Sequence, residues 1–182
     1  GMVLSIFTLH CNNGLIEMNI SKYFKKFLFF LFIILTYVYG QTNVSGVISS
    51  TTTWSYSNSP YIVTDDILLN EGITLTIEPG VTIKMLSDKE FQVKGTLIAQ
   101  GTSDSKITFT SNESSPSAGD WEYLKFYDEA TDASFSGSSY SSGSILEYCI
   151  VEYGTGLYIY RSGPFINYSE FRYNSNYGIN VW

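Results

Sequence analysis

The stretch ILEYCIVEYGTGLYIY (145–160) is followed by a second stretch with the same order of residue types, FINYSEFRYNSNYGINVW (165–182). Leu146 matches Ile166 at a spacing of twenty residues, and the spacing becomes twenty-two beyond the turn in each stretch. A fixed period of about 20 residues with apolar positions in register is typical of a stacked repeat. The two stretches therefore predict consecutive coils of one solenoid.

Earlier parts of the chain repeat with a slightly longer period. Ile67 matches Phe91 at a spacing of 24, and Ile83 matches Phe109 at a spacing of 26. Short apolar runs separated by Gly, Pro or Asn predict β-strands joined by turns, three to a coil. We expect an all-β solenoid with coils of about 20–26 residues. The Ser/Gly-rich stretches 111–120 and 134–144 are expected to be loops that bulge from the stack.

Alternation along each strand sends every second side chain inward. One coil cannot bury its own apolar face, so the coils must stack on each other. The residues predicted to line the interior are Leu75, Ile77, Val81, Ile83, Val93, Leu97, Ile107, Phe109, Leu124, Phe126, Leu146, Val151, Leu157, Ile159, Ile166 and Phe171.

Residues 18–40 have the pattern of a secretory signal peptide. A lysine-rich head at 22–26 precedes the unbroken apolar run 27–35, and the spacing of the small residues favours cleavage between Gly40 and Gln41. The alternative is a retained membrane anchor, but a membrane-spanning helix needs about 20 apolar residues. We therefore expect a secreted or cell-surface protein that has no membrane segment once the signal peptide is removed.

The remaining chain divides into two parts. Residues 1–17 lie upstream of the natural start at Met18, and we interpret them as the product of a start codon assigned too early. Residues 41–182 form the predicted solenoid domain. Because a solenoid ends in a capping element and the sequence shows none after Trp182, we expect this domain to be the N-terminal portion of a longer one.

Residues 41–182 are strongly acidic, with 7 Lys and Arg against 16 Asp and Glu, a net charge of −9. Such a domain should not bind nucleic acid or anionic lipid, because their phosphates would repel it. The domain keeps one cysteine, Cys149, so an internal disulfide is excluded. We expect Cys149 to pack in the core as a small apolar residue.

Taken together, GITLTIEPGVTIKM (72–85), GTLIAQGT (95–102), KITFTS (106–111) and the two C-terminal stretches resemble the right-handed parallel β-helix repeats of pectate-lyase-like, carbohydrate-associated proteins. The resemblance covers nearly everything from Val44 to Trp182. It implies a secreted or surface protein that acts on or near polysaccharide. The family includes lyases, hydrolases, adhesins and passive surface proteins, so the resemblance is specific for fold and not for activity.

The resemblance implies that enzymes of this family use carboxylates and basic residues clustered on one outer face of the β-helix. The sequence does not show such a cluster. No catalytic residue and no cofactor is therefore predicted. The chain has no histidine after residue 40, which excludes imidazole catalysis and the usual zinc ligand sets. Asp128, Glu129 and Asp132 are weak calcium candidates, because they lie close together but lack the ligand spacing of a dedicated loop.

The tyrosines of the last coils are the candidate contact residues. Tyrosine rings can cover the apolar C–H faces of sugars while their hydroxyls form hydrogen bonds, although stacked rings on neighbouring strands also stabilise a sheet by themselves. Arg161 is a candidate partner for an acidic sugar. The glycan-contact candidates are Tyr148, Tyr153, Tyr158, Tyr160, Arg161, Tyr168, Tyr173 and Tyr177.

Two further patterns concern the outer surface. Glu152 and Arg172 share the twenty-residue spacing and are predicted to form a surface ion pair. Threonines at alternate positions suggest an ice-binding array, but Lys84 is predicted to lie beside Thr110, and that charge would interrupt it.

The sequence thus favours a non-catalytic adhesion or polysaccharide-binding module. The alternative is the N-terminal part of a polysaccharide lyase or glycoside hydrolase whose catalytic coils lie beyond residue 182. The expected partner is a polysaccharide or a cell-surface glycan.

Overall fold

The computed structural model describes residues 10–11, 14–15 and 40–182. The first four of these form two short antiparallel strands, β1 (His10–Cys11) and β2 (Gly14–Leu15). The predicted signal peptide, apart from Gly40, and most of the predicted upstream segment lie outside the described residues. Within the described ranges, no helix has the length and apolar character needed to cross a membrane.

From Gly40 onward the chain is all-β, with one short 3-10 turn at Tyr56–Asn58. The strands of the solenoid are β3 (Thr42–Ile48), β4 (Thr52–Trp54), β5 (Tyr61–Leu69), β6 (Thr74–Ile77), β7 (Thr82–Met85), β8 (Phe91–Val93), β9 (Thr96–Gln100), β10 (Ile107–Ser111) and β11 (Trp121–Phe126). They continue, after a hairpin of β12 (Ser134–Ser136) and β13 (Ser139–Ser142), with β14 (Ile145–Glu147), β15 (Cys149–Glu152), β16 (Gly154–Ile159), β17 (Phe165–Asn167), β18 (Glu170–Arg172) and β19 (Ile179–Val181).

The strands stack into a right-handed parallel β-helix with three faces. Face A contains β4, β6, β9, β14 and β17. Face B contains the first half of β5 with β7, β10, β15 and β18, and face C contains the second half of β5 with β8, β11, β16 and β19. The long strand β5 bends from face B into face C, and β3 pairs with both of its halves. The predicted fold class is confirmed.

The register inferred from the sequence repeats is confirmed strand by strand. Ile67 pairs with Phe91 on face C. On face B, Ile83 pairs with Phe109. On face A, Leu146 pairs with Ile166. Thr110 lies beside Lys84 on face B, as predicted. The charge of Lys84 therefore interrupts the row of threonines that an ice-binding surface would need.

The core runs along the axis of the β-helix, where inward side chains from the three faces meet. Of the sixteen residues predicted to line it, fourteen are buried. Ile166 and Phe171 are only half-buried, although both pack against the core. They lie on the last coil of the chain, where only one side of the coil has a neighbour in the structure.

The prediction of a loop at 134–144 is only partly right. Strands β12 and β13 form an antiparallel hairpin there, with Gly137 at φ +64° in its turn. The hairpin packs through Phe135, whose ring meets the ring of Phe165 edge-on at a centroid distance of 5.3 Å. It therefore covers part of the outer surface of face A.

Candidate functional site

Four of the predicted contact tyrosines form two stacked pairs at two corners of the β-helix. Tyr148 and Tyr168 lie where face A turns into face B, and their rings stack at 4.9 Å with 13° between their planes. Tyr153 and Tyr173 lie where face B turns into face C, and their rings stack at 5.4 Å and 15°. We call these the A–B pair and the B–C pair.

All four tyrosines have left-handed backbone conformations, with φ between +47° and +61°. A residue with a Cβ atom in this region costs about 1–2 kcal/mol, and Gly or Asn is the usual occupant. Bulky residues at positive φ persist only where the surroundings fix the backbone, and they are concentrated at functional sites. The corners therefore retain tyrosine at an energetic cost.

Hydrogen bonds between coils fix the backbone at these corners. The carbonyl of Tyr148 accepts a hydrogen bond from the Ile107 amide at 3.1 Å, and the carbonyl of Tyr153 accepts one from the Asp120 amide at 2.9 Å. The hydroxyl oxygen of Ser169 accepts a hydrogen bond from the amide of Cys149 at 3.0 Å. These bonds tie the backbone at Tyr148, Tyr153 and Cys149 to the adjacent coils.

A row of planar polar side chains flanks the A–B pair on face A. The carboxylate of Glu147 accepts hydrogen bonds from the side-chain amide of Asn167 at 2.9 Å and from that of Gln100 at 3.3 Å. Glu147 and Asn167 directly precede the two tyrosines of the pair. The stacked rings thus lie beside groups that can both donate and accept hydrogen bonds.

Ion pairs on face B separate the two tyrosine pairs. The predicted pair of Arg172 and Glu152 is confirmed at 2.8 Å, and Arg172 also contacts Glu170 at 3.1 Å. Lys106 forms an ion pair with Glu170. The hydrogen bond from Lys106 lowers the pKa of Glu170 below its ordinary value, so this carboxylate stays ionised.

The other tyrosine candidates do not join these pairs. Tyr158 lies on face C, where its ring meets that of Tyr123 edge-on at 5.5 Å. Tyr160 and Arg161 lie in the turn from face C to face A, and the guanidinium of Arg161 is 5.3 Å from the Tyr160 ring centroid. Tyr177 is 80% exposed in the turn before β19. The tyrosine candidates are thus spread over several sides of the β-helix.

The three calcium candidates are exposed, and Glu129 and Asp132 contact different partners. Glu129 forms an ion pair with Lys94 at 3.0 Å. The carboxylate of Asp132 accepts a hydrogen bond from the Gly163 amide at 2.6 Å. Across the part of the chain that the structure describes, no group of three or more acidic, Cys or His side chains is placed to hold a metal ion.

Sequence reasoning missed the polar row beside the A–B pair. Glu147 and Asn167 show the same twenty-residue spacing as the tyrosines, so that signal was present. Gln100 could not be identified from the repeat, because the long loops between β9 and β14 place it 47 residues from Glu147 instead of about 20–26. Lys106 was hidden for the same reason, since it lies 64 residues from Glu170.

Comparison with known proteins gives one family and one relative. The family model for pectate-lyase-like β-helix domains matches residues 46–173. The chain is also 47% identical over 55 residues to Protein bark beetle of Drosophila melanogaster, and this alignment covers 30% of the chain and 2% of the relative. No solved structure matches the chain. Since the family model spans more than two thirds of its length, the chain belongs to the family of pectate-lyase-like β-helix domains.

Proposed function

We propose that this β-helix is a non-catalytic polysaccharide-binding module of a secreted or cell-surface protein, with the A–B pair as its principal contact surface. The observation that carries the proposal is the left-handed backbone at Tyr148 and Tyr168. Asn would adopt this backbone conformation at a lower cost in free energy than Tyr. We therefore expect the tyrosine side chain to have a role that offsets the higher cost. Adhesion through surface glycans is the role that such a module would serve.

The exposure and surroundings of the A–B pair support a contact with sugar. Tyr168 is 67% exposed, so its side chain is accessible at the outer surface of this corner. An aromatic ring covers the apolar side of a sugar, and the neighbouring carboxylate and amides of Glu147, Asn167 and Gln100 can bind its hydroxyls.

Stacking alone offers a second explanation for the same residues. A stacked aromatic pair contributes about 0.5–1.5 kcal/mol beyond area burial. That gain is comparable to the cost of one left-handed tyrosine and smaller than the cost of two. Stacking, together with the apolar area that the two rings bury against each other, therefore offsets much of this cost.

The ion pairs on face B favour a non-catalytic role for these coils. A general acid must carry a proton at the working pH, and Lys106 holds the carboxylate of Glu170 in its ionised form. Arg172 is held by both Glu152 and Glu170. These charged groups are therefore paired with one another on face B.

We also propose export through cleavage between Gly40 and Gln41. The first strand of the β-helix begins at Thr42, directly after this position. N-terminal sequencing of the protein collected from the medium of secreting cells should begin at Gln41. Retention of residues 18–40 in that product would contradict the proposal.

The binding function is tested by retention on immobilised β-glucan, galactomannan and polygalacturonate. Replacing Tyr148, Tyr168 and Tyr173 together by Asn should abolish retention on whichever polymer binds the wild-type chain. Asn is used because it tolerates the left-handed conformation better than Ala does. Circular dichroism and thermal unfolding would establish that the variant is folded.

Tyr56→Asn is the matched control, since Tyr56 is 64% exposed and belongs to the first coil. It should retain the binding of the wild-type chain. Unchanged retention by the folded triple variant would show that the tyrosines do not form the binding surface. Failure of the wild-type chain to bind any of the polymers would count against the function itself.

A further inference from the structure

We infer that the A–B pair takes an uncharged, hydroxyl-rich polysaccharide and rejects polyuronates. This inference rests on the proposed binding function and specifies its ligand. It is carried by the charges around the stacked tyrosines. Although the family is named after pectate lyase, the groups beside these rings do not suit a polyanionic polymer.

The ionised group adjoining the A–B pair on face A is a carboxylate. Both of the hydrogen bonds that the Glu147 carboxylate accepts come from the neutral side-chain amides of Asn167 and Gln100, and none of the ion pairs within residues 40–182 includes Glu147. A sugar hydroxyl can donate a hydrogen bond to Glu147 and accept one from either amide. A uronate carboxylate can only accept, and it would be repelled by Glu147.

The nearest cations on face B are already paired. Lys106 binds Glu170, and Arg172 is held between Glu152 and Glu170. A uronate that recruited either cation would have to break an existing ion pair and leave a carboxylate without its partner. The charges on face B therefore balance each other, and the charge left without a cationic partner beside the A–B pair is that of Glu147 on face A.

The remaining cations lie elsewhere. Within residues 40–182, Lys84 and Arg161 belong to none of the ion pairs. Arg161 follows the C-terminal end of β16, in the turn from face C to face A, whereas Tyr153 precedes the N-terminal end of this strand. Lys84 lies two strands away from Glu152 on face B, a distance of about 10 Å. The net charge of −9 over residues 41–182 adds long-range repulsion of any polyanion at low salt.

The test compares the affinity of the whole chain for two soluble polymers, neutral galactomannan and polygalacturonate, at low ionic strength. We expect galactomannan to bind at least about tenfold more tightly, because like charges brought together at an interface are strongly unfavourable. Glu147→Gln removes the unpaired charge and keeps an oxygen acceptor. It should strengthen polygalacturonate binding severalfold and so reduce the ratio of the galactomannan affinity to the polygalacturonate affinity.

Glu71→Gln is the control, because it removes an equal charge from an exposed turn outside faces A and B of the last coils. It should leave the ratio of the two affinities within about twofold of the wild-type ratio, since exposed charges far from a site are screened. Polygalacturonate binding equal to or tighter than galactomannan binding would overturn this inference but leave the binding function standing. A Glu147→Gln variant with the wild-type preference would overturn the role of Glu147. Absence of binding to both polymers would overturn the inference together with the function.

Discussion

The side chain of Asn174 reaches back one coil to Gly154. The backbone amide of Gly154 donates a hydrogen bond to the side-chain oxygen Oδ1 of Asn174 at 3.0 Å. The amide nitrogen of the same side chain donates to the carbonyl of Val151 at 3.0 Å. Asn174 thus satisfies two backbone groups on either side of Tyr153, whose left-handed conformation turns the chain from face B to face C. The arrangement joins two coils through a single side chain.

Asn174→Ala should lower the free energy of unfolding by about 1–2 kcal/mol, because it leaves two partly buried backbone groups without partners. Asn174→Asp should also be destabilising, since a carboxylate can accept from Gly154 but cannot donate to the carbonyl of Val151. Equilibrium denaturation with urea would measure both. The control is Asn112→Ala in an exposed loop, which should change stability by less than about 0.5 kcal/mol. Equal effects of the Asn174 and Asn112 substitutions would show that the bonds between coils contribute nothing measurable.

The sequence predicted the stacking of the coils because each coil must bury an apolar face against the next. That requirement places residues such as Val151 and Phe171 in register, and the observed pairing follows it. The sequence could not predict the hairpin of β12 and β13, because its strands are rich in Ser and make few apolar contacts. Phe135 and Phe165 meet across 30 positions of the chain, a contact that no repeat spacing reveals.

The candidate site was only partly predictable for a related reason. The repeat spacing identified the stacking of Tyr148 on Tyr168 and of Tyr153 on Tyr173. It did not identify their left-handed backbone, because local preference assigns such positions to Gly or Asn. The sequence also grouped Tyr158 with these rings, whereas the corner at Tyr153 places it on another face.

Two glycines at the hairpin allow backbone strain to be separated from close packing. Both have positive φ, +96° at Gly143 and +64° at Gly137. A Cβ at Gly143 would lie 2.0 Å from the backbone oxygen of Asp132, whereas a Cβ at Gly137 would meet nothing within 4 Å. Gly143→Ala should therefore cost at least about 3 kcal/mol, and Gly137→Ala only about 1 kcal/mol. Thermal unfolding would show the difference, because 1 kcal/mol shifts Tm by about 2–4 °C in a protein of this size. Equal shifts in Tm would mean that the hairpin moves freely away from Asp132.

The ion pair between Glu152 and Arg172 should contribute little at high salt. The Arg172 side chain is 44% exposed, so solvent and ions screen its attraction to Glu152. We expect Arg172→Gln to lower the free energy of unfolding by less than about 1 kcal/mol at low salt. The loss should shrink further in about 1 M salt. Urea denaturation at the two salt concentrations would measure it, and a large loss that does not depend on salt would instead indicate a packing role for the Arg172 side chain.

Cys149 should make the stability of the domain fall as the pH rises above 9. Its thiol is fully buried and lies 3.3 Å from the carbonyl oxygen of Ala99, and burial raises the pKa of Cys149 from 9.0 to about 12. Between these values the unfolded chain loses the thiol proton and the folded chain keeps it. The unfolded state is then favoured by up to about 1.4 kcal/mol for each pH unit.

The measurement is urea denaturation of the wild-type chain and of Cys149→Ala between pH 7 and pH 10.5. Tyrosine and lysine residues also titrate at the upper end, so the informative quantity is the difference between the two proteins at each pH. Cys149→Ala should be less stable at pH 7, because it leaves a small cavity in the core. The gap between the two proteins should narrow steadily above pH 9, as only the wild-type chain carries the thiol. A gap that stays constant across this range would contradict the raised pKa of Cys149 and the burial that causes it.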